Sequence, residues 1–513
     1  MERMRKFLKF LSQRIVIVTF LIFLQIMWFV GMFLKVTSYS QYITAAFKIL
    51  SILVVIYIMN RSDNPSVKLG WIVVILLFPL FGGLLYLTIG GKQPISYLRR
   101  KLEPMIEESV RHLKADPEIE QELKEKDGST ASQIYYLEHQ SGFPAYKDSK
   151  VDYYPSGEDC FKVMVEELRK AKEYIYLEYF IIEEGIMWNT ILDILEEKVK
   201  EGVDVRVMYD DVGCIFNLPS HYADFLRKKG IKCIVFNRYI PIFSTVFNNR
   251  DHRKILVIDG DVAFTGGINF ADEYINEKMR FGHWKDTGFM LRGEAVAGFT
   301  AMFLEMWNVN DEHIEDCGEY IQASKKYSVS TDGFVIPFGD TPLDEVYIGK
   351  RAYINNLNNA SEYTYIMTPY LVIDDEMYEC MKYAAQRGVD VKIIMPHIPD
   401  KKYAFYLART YYKELLKAGI EIYEYTPGFV HAKMSISDGK KAIVGTVNHD
   451  YRSLYLHYEC AAYMLNVPAV MDIERDFKDT LELSQKITLE DVKHFNIFTK
   501  ILGHIIRLVA PLL

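Results

Sequence analysis

His252-Arg253-Lys254-Ile255-Leu256-Val257-Ile258-Asp259, followed by Gly266-Gly267-Ile268-Asn269, is the stretch on which the fold reading turns. The same grammar returns as His431-Ala432-Lys433-Met434-Ser435-Ile436-Ser437-Asp438, followed by Gly445-Thr446-Val447-Asn448. His, Lys, Asp, Gly and Asn recur at a single offset of 179 residues. So long a period marks duplicated domains and not a solenoid. The apolar residues after each Lys, closed by Asp-Gly, predict a β-strand. On a strand, positions i and i+2 share a face, so His252 projects with Lys254 and His431 with Lys433. Asp259 and Asp438 complete the candidate catalytic set. Their opposite parity places them at the strand ends, where bracing a turn suits them better than touching substrate.

Working outward, each copy is preceded by the same series of elements. Cys160–Lys172 predicts a helix, Tyr174–Phe180 a strand, Trp188–Glu201 a helix, and Gly202-Val203-Asp204-Val205-Arg206-Val207 a turn into a strand. Glu345–Asn359, Tyr363–Met367, Glu376–Arg387 and Gly388-Val389-Asp390-Val391-Lys392-Ile393 repeat that order. Alternating helices and strands imply an α/β fold with helices covering a sheet.

Two imidazoles, two ammoniums and two Asn amides converging at one place describe a metal-free phosphoryl site. Lys and Asn offer charge and hydrogen bonds where negative charge develops on phosphate oxygens. One neutral His can attack phosphorus and become a covalent phospho-histidine. The other, protonated, can give its proton to a leaving alcohol and later take one back. Asn269 and Asn448, with Gly266, Gly445 and Thr446 beside them, are the candidate substrate-binding positions. A carboxylate on the far ring nitrogen would fix each tautomer, and Asp286 and Glu459, downstream of the respective motifs, are the supporting candidates. His449 and His457 read as packing residues. Metal-ligand spacing is missing and Lys is a poor ligand, so no metal is expected.

The chain is 513 residues long with a net charge of −8. Residues 1–101 carry 13 Lys and Arg against Glu2 and Asp63, which leaves −19 for the remainder. A basic, oily start and an acidic body suggest anchoring at an anionic membrane and speak against nucleic acid as a partner. Ile15–Leu34 and Leu69–Ile89 are apolar runs long enough to cross a ~30 Å hydrocarbon core, and Ile43–Met59 is a shorter run holding Lys48. A signal peptide fits the first run poorly, because its apolar stretch is too long and no small-residue cleavage pattern follows. Two or three spans are therefore expected, with the number and orientation left open. The six cysteines lie far apart with no C-x-x-C pair, which suits reduced, packed thiols. The tail Ile497–Leu513 is apolar with Lys500 and Arg507, as suits a helix lying on a bilayer or docked on the protein body.

The paired H-x-K-x4-D motifs resemble those of the phospholipase D superfamily, and the chain is similar to the bacterial cardiolipin synthases within it. Supporting strings are Asn64-Pro65, Tyr176-Leu177-Glu178-Tyr179-Phe180, Asp210-Asp211-Val212-Gly213, Trp284-Lys285-Asp286-Thr287, Thr368-Pro369-Tyr370, Gly428-Phe429-Val430 and the terminal Ala510-Pro511-Leu512-Leu513. The resemblance implies two tandem phospholipase D-like sandwich domains forming one pseudo-twofold unit behind N-terminal transmembrane helices. The boundaries it suggests are 1–91 for the anchor, 92–150 for a linker, 151–325 for the first domain and 326–513 for the second. It implies a multi-pass protein of the cell membrane with cytoplasmic catalytic domains. The implied reaction passes a phosphatidyl group from one phosphatidylglycerol to another, giving cardiolipin and glycerol. Phosphatidylglycerol would be donor and acceptor, with His252 as nucleophile, His431 as acid/base, and no metal or nucleotide cofactor. The two histidine roles are open to exchange. Thr446 stands where the family usually has Ser, and His457 where it usually has Asn, which leaves acceptor preference open. A phospholipid hydrolase would use the same residues with water as acceptor. A phosphatidylserine synthase would need a nucleotide-activated donor, and a non-enzymatic membrane scaffold would need neither histidine.

Overall fold

The computed structural model describes Phe23, Ile26, Met27 and residues 40–512, apart from 62–63, 79–81, 84–85, 88–94, 127, 239–248, 312 and 325–328. Contacts divide the chain into two units. One comprises residues 1–98, 239–248 and 504–513, the other 99–238 and 249–503.

In the larger unit the predicted alternation is present twice. The first half supplies β1 (Ser149–Tyr154), β2 (Tyr174–Tyr179), β3 (Asp204–Asp210), β4 (Lys232–Phe236), β5 (Lys254–Ile258), β6 (Val262–Gly266), β7 (His283–Lys285) and β8 (Gly288–Gly293). The second supplies β9 (Phe334–Asp340), β10 (Tyr363–Met367), β11 (Leu371–Val372), β12 (Asp390–Pro396), β13 (Glu421–Tyr425), β14 (Gly428–Val430), β15 (Met434–Ser437), β16 (Lys441–Gly445), β17 (His449–Asp450), β18 (Glu459–Leu465) and β19 (Ser484–Ile487). The first sheet runs β1-β8-β6-β5-β2-β3-β4 and the second β9-β18-β16-β15-β10-β12-β13-β19. Apart from the added edge strand β19, the two orders are the same.

Within each sheet the pairs β2–β3 and β3–β4, or β10–β12 and β12–β13, are parallel, and the pairs on the motif side are antiparallel. The parallel crossovers run through helices Ile186–Lys200 and Asp375–Gln386, whose apolar residues at helical spacing are buried on the sheets. Strands β6 and β8 pack against β16 and β18, joining the halves. The helix Val296–Asn310 is buried along nearly its whole length, against β2, β5, β6 and β8 of the first sheet and β9 of the second. A helix apolar on every side belongs in a core. The two halves therefore share one compact unit.

Residues 92–150, expected as a linker or juxtamembrane segment, form helices Ile95–His112, Pro117–Lys126 and Gly128–Ser141 before β1. The third buries Ile134 and Leu137 against β9 and the helix Ile348–Asn359, while Glu138 accepts the Ala145 N–H at 2.7 Å. The apolar spacing hidden among its polar residues is what seats it.

Among the described residues, no helix is long and apolar enough to cross a membrane. Ile15–Leu34 lies outside the described residues except for Phe23, Ile26 and Met27. Ile43–Met59 falls in the 20-residue helix Ser40–Met59. Of Leu69–Ile89, the structure describes a helix Pro65–Leu77 of 13 residues, about 20 Å at 1.5 Å per residue. Asn64 caps that helix by accepting the Ser66 N–H at 2.8 Å, with Pro65 at its first position. Val54 and Ile58 from one helix pack with Ile75 from the other and with Tyr86.

Candidate active site

Each motif histidine sits in the approach to a strand, and the strand begins later than the sequence suggests. β5 starts at Lys254 and β15 at Met434, so His252 and His431 lie on the preceding loops. What holds those loops is the other half of the molecule. The His252 N–H donates to the Tyr458 carbonyl at 3.0 Å, and the His431 N–H donates to the Lys285 carbonyl at 2.7 Å. β14 runs parallel to β7, and Asp251 bridges to Tyr458.

This backbone exchange decides the carboxylate partners. Glu459 follows Tyr458, and its Oε1 lies 2.9 Å from His252 Nδ1. Asp286 follows Lys285, and its Oδ2 lies 2.7 Å from His431 Nδ1. The two supporting candidates are therefore where the chemistry needs them, but crossed, each serving the histidine of the opposite half. In both rings Nδ1 faces a carboxylate, which leaves Nε2 for the reacting atoms.

Both lysines are buried and fold back on their own motif. Lys254 Nζ donates to the His252 carbonyl at 2.6 Å, and Lys433 Nζ reaches the His431 carbonyl and lies 2.8 Å from His431 Nδ1. Burial pulls Lys254 down to about 8 against the attraction of Glu459, and Lys433 down to about 7 against that of Asp286. Burial and Lys433 push the His431 imidazole down to about 4, although Asp286 opposes them. Asp286 itself is held below the usual carboxylate range, because His431 and Lys433 outweigh the burial that would raise it. Burial, then Lys254 and the neighbouring His457, Lys433 and His431, hold His252 well below its ordinary value. Burial drives Glu459 well above its own, against Lys254, Ser453 and Thr446. The two pairs thus differ: cations hold Asp286 below the usual carboxylate range beside His431, whereas burial drives Glu459 above it beside His252.

The remaining sequence candidates separate cleanly. Asp259 and Asp438 are far from the histidines. The Asp259 carboxylate accepts the N–H groups of Lys172 (2.8 Å), Glu173 (2.8 Å) and Tyr174 (2.9 Å). Asp438 accepts those of Ser361 (2.8 Å), Glu362 (2.9 Å) and Tyr363 (3.0 Å). They clamp the entry to β2 and β10, as their parity predicts, so they do not belong with the reacting groups. Asn269 spends its amide inside the protein, donating to Tyr274 Oη at 2.7 Å and accepting the Ile181 N–H at 3.0 Å. Asn448 keeps a buried Oδ1 with no hydrogen-bond partner. Gly266 (φ +148°) and Gly445 serve packing: an added Cβ would lie 2.4 Å from the Thr287 carbonyl or 2.4 Å from that of Cys460. Thr446 donates its hydroxyl to Glu459 Oε2, which makes it a support of the carboxylate. All six cysteines are free.

The geometry has a counterpart among known proteins. The family described as "Cardiolipin synthase, PLD-like domain" matches residues 164–307 and 353–481, which hold both motifs and both carboxylates. The chain belongs to this family. A second family, described as "Phospholipase_D-nuclease N-terminal", matches residues 49–91. A Streptococcus mutans protein without an assigned function is 50% identical over 90% of this chain and 99% of its own length. The cardiolipin synthase of Halalkalibacterium halodurans is 31% identical over 94% of this chain and 97% of its own length. Cardiolipin synthase 2 of Bacillus cereus is 34% identical over 90% and 89%. A phosphatidylserine synthase from Haemophilus influenzae has the same fold, with a TM-score of 0.57 at 14% identity, covering 74% of this chain and all of that one.

Within this family framework several site residues escaped the sequence reading. Ser453 donates its hydroxyl to Glu459 Oε1 and accepts the Asn448 N–H at 2.8 Å. It lies five residues beyond Asn448, at the offset where Tyr274 follows Asn269, so the repeat itself carried the signal. Arg253, inside the first motif, pairs with Glu178 at 2.5 Å and with Asp251 at 3.3 Å. Arg250 pairs with Asp210 at 3.2 Å, and Asp210 also accepts the Asp251 N–H at 3.1 Å. These buried ions shape the loop that delivers His252. His449 is a packing residue, its ring 4.3 Å from that of Tyr353. His457 is not merely that: its ring is 5.5 Å from the His252 ring, and both its nitrogens are buried without a hydrogen-bond partner. Together His252, His457 and Glu459 bring three ligand atoms within 4.8 Å of one another, and the positive charges of Lys254 and Arg250 that bear on His457 oppose a metal ion there.

Proposed function

We propose that the chain is a membrane-anchored phosphatidyltransferase that makes cardiolipin from two molecules of phosphatidylglycerol. One observation carries this reading: two His–carboxylate pairs, crossed between the halves, each with Nε2 left over and a buried lysine beside it. Nε2 of one histidine attacks the donor phosphorus while the bond to the glycerol oxygen breaks, and the other histidine gives that oxygen its proton. A phosphatidyl-histidine remains. The hydroxyl of a second phosphatidylglycerol then attacks phosphorus, its proton passes to the second histidine, and the P–N bond breaks. Lys254, Lys433 and the Asn448 amide meet the charge on the phosphate oxygens.

Membrane anchoring follows from exposed apolar surface. Ile49, Ile52, Leu53 and Ile56 on one N-terminal helix and Leu69, Leu76 and Leu77 on the next face outward. The helix Ile497–Val509 exposes Ile497, Phe498, Ile501, Leu502, Ile505 and Leu508 along one stripe, the pattern of a helix lying in a bilayer surface. We place the N-terminal region as a multi-pass anchor, with the catalytic unit on the cytoplasmic side.

The test is mass spectrometry of products from detergent-purified protein supplied with phosphatidylglycerol as sole lipid. Cardiolipin with stoichiometric glycerol is expected. Phosphatidic acid in its place makes the protein a hydrolase, and no turnover, with or without added donors, overturns the enzyme reading.

A further inference from the structure

We infer that the mouth of the site dips into the bilayer, with Phe216 and Met279 inserted among the lipids on either side of it. This rests on the phosphatidyltransfer reading above and adds to it which face of the catalytic unit meets the membrane.

The histidines fix which end of the sheets is the mouth. β5 runs antiparallel to β2 with Lys254 opposite Tyr179, and β15 runs antiparallel to β10 with Met434 opposite Met367. Both histidines therefore stand at the carboxyl ends of the parallel strands, where loops of such sheets gather around a ligand. Two of the loops there are held to the site by aromatic rings. Phe180 lies 5.0 Å from the His252 ring, and its carbonyl accepts from Cys214 Sγ at 3.6 Å. Trp284 lies 5.2 Å from the His431 ring and 6.4 Å from that of Phe281. Phe216 stands two residues after Cys214, and Met279 two residues before Phe281.

Those two side chains are nearly bare. Phe216 is 96% exposed and Met279 82%, more than any other large apolar side chain among the described residues from 99 to 496. A single exposed apolar residue is ordinary, but here one stands on each side of the site, and Val212, Ile215 and Ile186 are exposed at the same rim. Lys278 and Arg280 flank Met279 and are paired with Glu183 at 2.6 Å and Glu273 at 3.1 Å. What this tip offers a membrane is therefore apolar area and not net charge.

The rim leads to the surface already assigned to lipid. A Cβ added at Gly282 would lie 3.2 Å from Ile398 Cδ1, so the Met279 loop abuts the loop after β12. Ile398 is exposed, as is Tyr403 at the start of the helix Lys402–Lys417. The C-terminal helix lies along that one. The Phe495 ring is 4.2 Å from the Arg409 guanidinium, and Gly503 comes up against the Tyr406 carbonyl, so the chain moves toward Tyr403 as it advances. A bilayer is the occupant that fits, because the substrate phosphate sits at headgroup level on acyl chains that resist leaving the hydrocarbon. Burying Phe216 and Met279 offsets the cost of bringing the site down to that level.

The experiment places the full chain in phosphatidylcholine vesicles and supplies phosphatidylglycerol in two forms. One is long-chain lipid in the same bilayer, the other dihexanoyl-phosphatidylglycerol dissolved below its micelle concentration. With Phe216→Asp and Met279→Asp together, cardiolipin from the bilayer lipid is expected to fall ~10-fold, the effect of losing the burial of one such side chain. Product from the dissolved lipid is expected to stay within about threefold, and Phe216→Leu with Met279→Leu, which keeps the apolar area, should hold both within that range. Equal losses on the two lipids, or no loss on either, overturn the inference. A second measurement needs no turnover: the emission that Phe216→Trp adds to that of the unaltered protein should be quenched by brominated acyl chains. Added emission quenched only by a water-soluble quencher overturns the inference. If the unaltered protein makes no cardiolipin from either lipid, the phosphatidyltransfer reading itself falls, and the quenching still decides where the loop sits.

Discussion

The His431–Asp286 half-site and the His252–Glu459 half-site are built from one repeated segment and share its lysine and asparagine, yet several residues around each histidine differ. Where the first half has Gly267, Tyr274 and Trp284, the second has Thr446, Ser453 and His457. The three substitutions act together. Gly267 leaves room for Asp286, since an added Cβ would lie 2.0 Å from Asp286 Oδ1. Thr446 and Ser453 instead hand hydroxyls to the longer Glu459. One carboxylate stays ionised among cations and the other is pushed toward its protonated form by burial. A symmetric backbone thus carries two unlike His–carboxylate pairs.

The sharpest way to break this comparison is to remove each ring in turn. His431→Ala and His252→Ala should each lower turnover of phosphatidylglycerol by at least ~10³-fold, as loss of a nucleophile or its acid/base partner does elsewhere. The two should part on a phosphatidyl ester with a nitrophenol leaving group, which needs no proton. Release of nitrophenol should return in the variant that lacks the acid/base and stay absent in the one that lacks the nucleophile, which assigns the two roles.

Next in size are the carboxylates. Asp286→Asn should cost ~10²–10⁴-fold in kcat by freeing the His431 tautomer. Glu459→Gln, which replaces a group already inclined to hold its proton, should cost at least tenfold less than that. Equal losses would erase the distinction between the pairs.

The pH profile sharpens it further. His431 loses its proton above about 4, so its ring is neutral from there upward. Lys433 and Lys254 lose theirs near 7 and 8, so phosphate binding weakens as pH rises past those values. The kcat/KM of the free enzyme should therefore be bell-shaped with an alkaline limb starting near 7, and Lys433→Arg should move that limb upward.

The smallest effect on activity should come from the motif aspartates. Asp438→Ala removes acceptors for three N–H groups at the head of β10 and should lower stability by ~1–3 kcal/mol in denaturant unfolding. Its kcat should stay within about threefold. A large loss of kcat in folded protein would return Asp438 to the reacting groups.

Much of this was legible in the residues alone. The offset of 179 announced two copies, and the element order before each copy placed the strands to within a few residues. Strand parity put Asp259 and Asp438 at the strand ends, and the structure has them bracing the entries to β2 and β10. Local pattern also marked Asp286 and Glu459 as the carboxylates to watch. It did not say which histidine each one meets, and there the local reading ended. Which histidine a carboxylate meets depends on β14 lying beside β7 and on Asp251 bridging to Tyr458, pairings between residues about 145 and 207 positions apart. Hydrogen bonds across such separations leave no period in the sequence. The same holds for residues 95–141, whose few apolar side chains look like a polar linker until β9 is present to bury them. Composition, periodicity and the repeat pointed to the family and singled out the histidines, lysines and carboxylates that the structure brings together. Only the packing of one half against the other decided how those side chains pair, since that pairing is set by the burial of β6 and β8 on β16 and β18 and not by any neighbour in the chain.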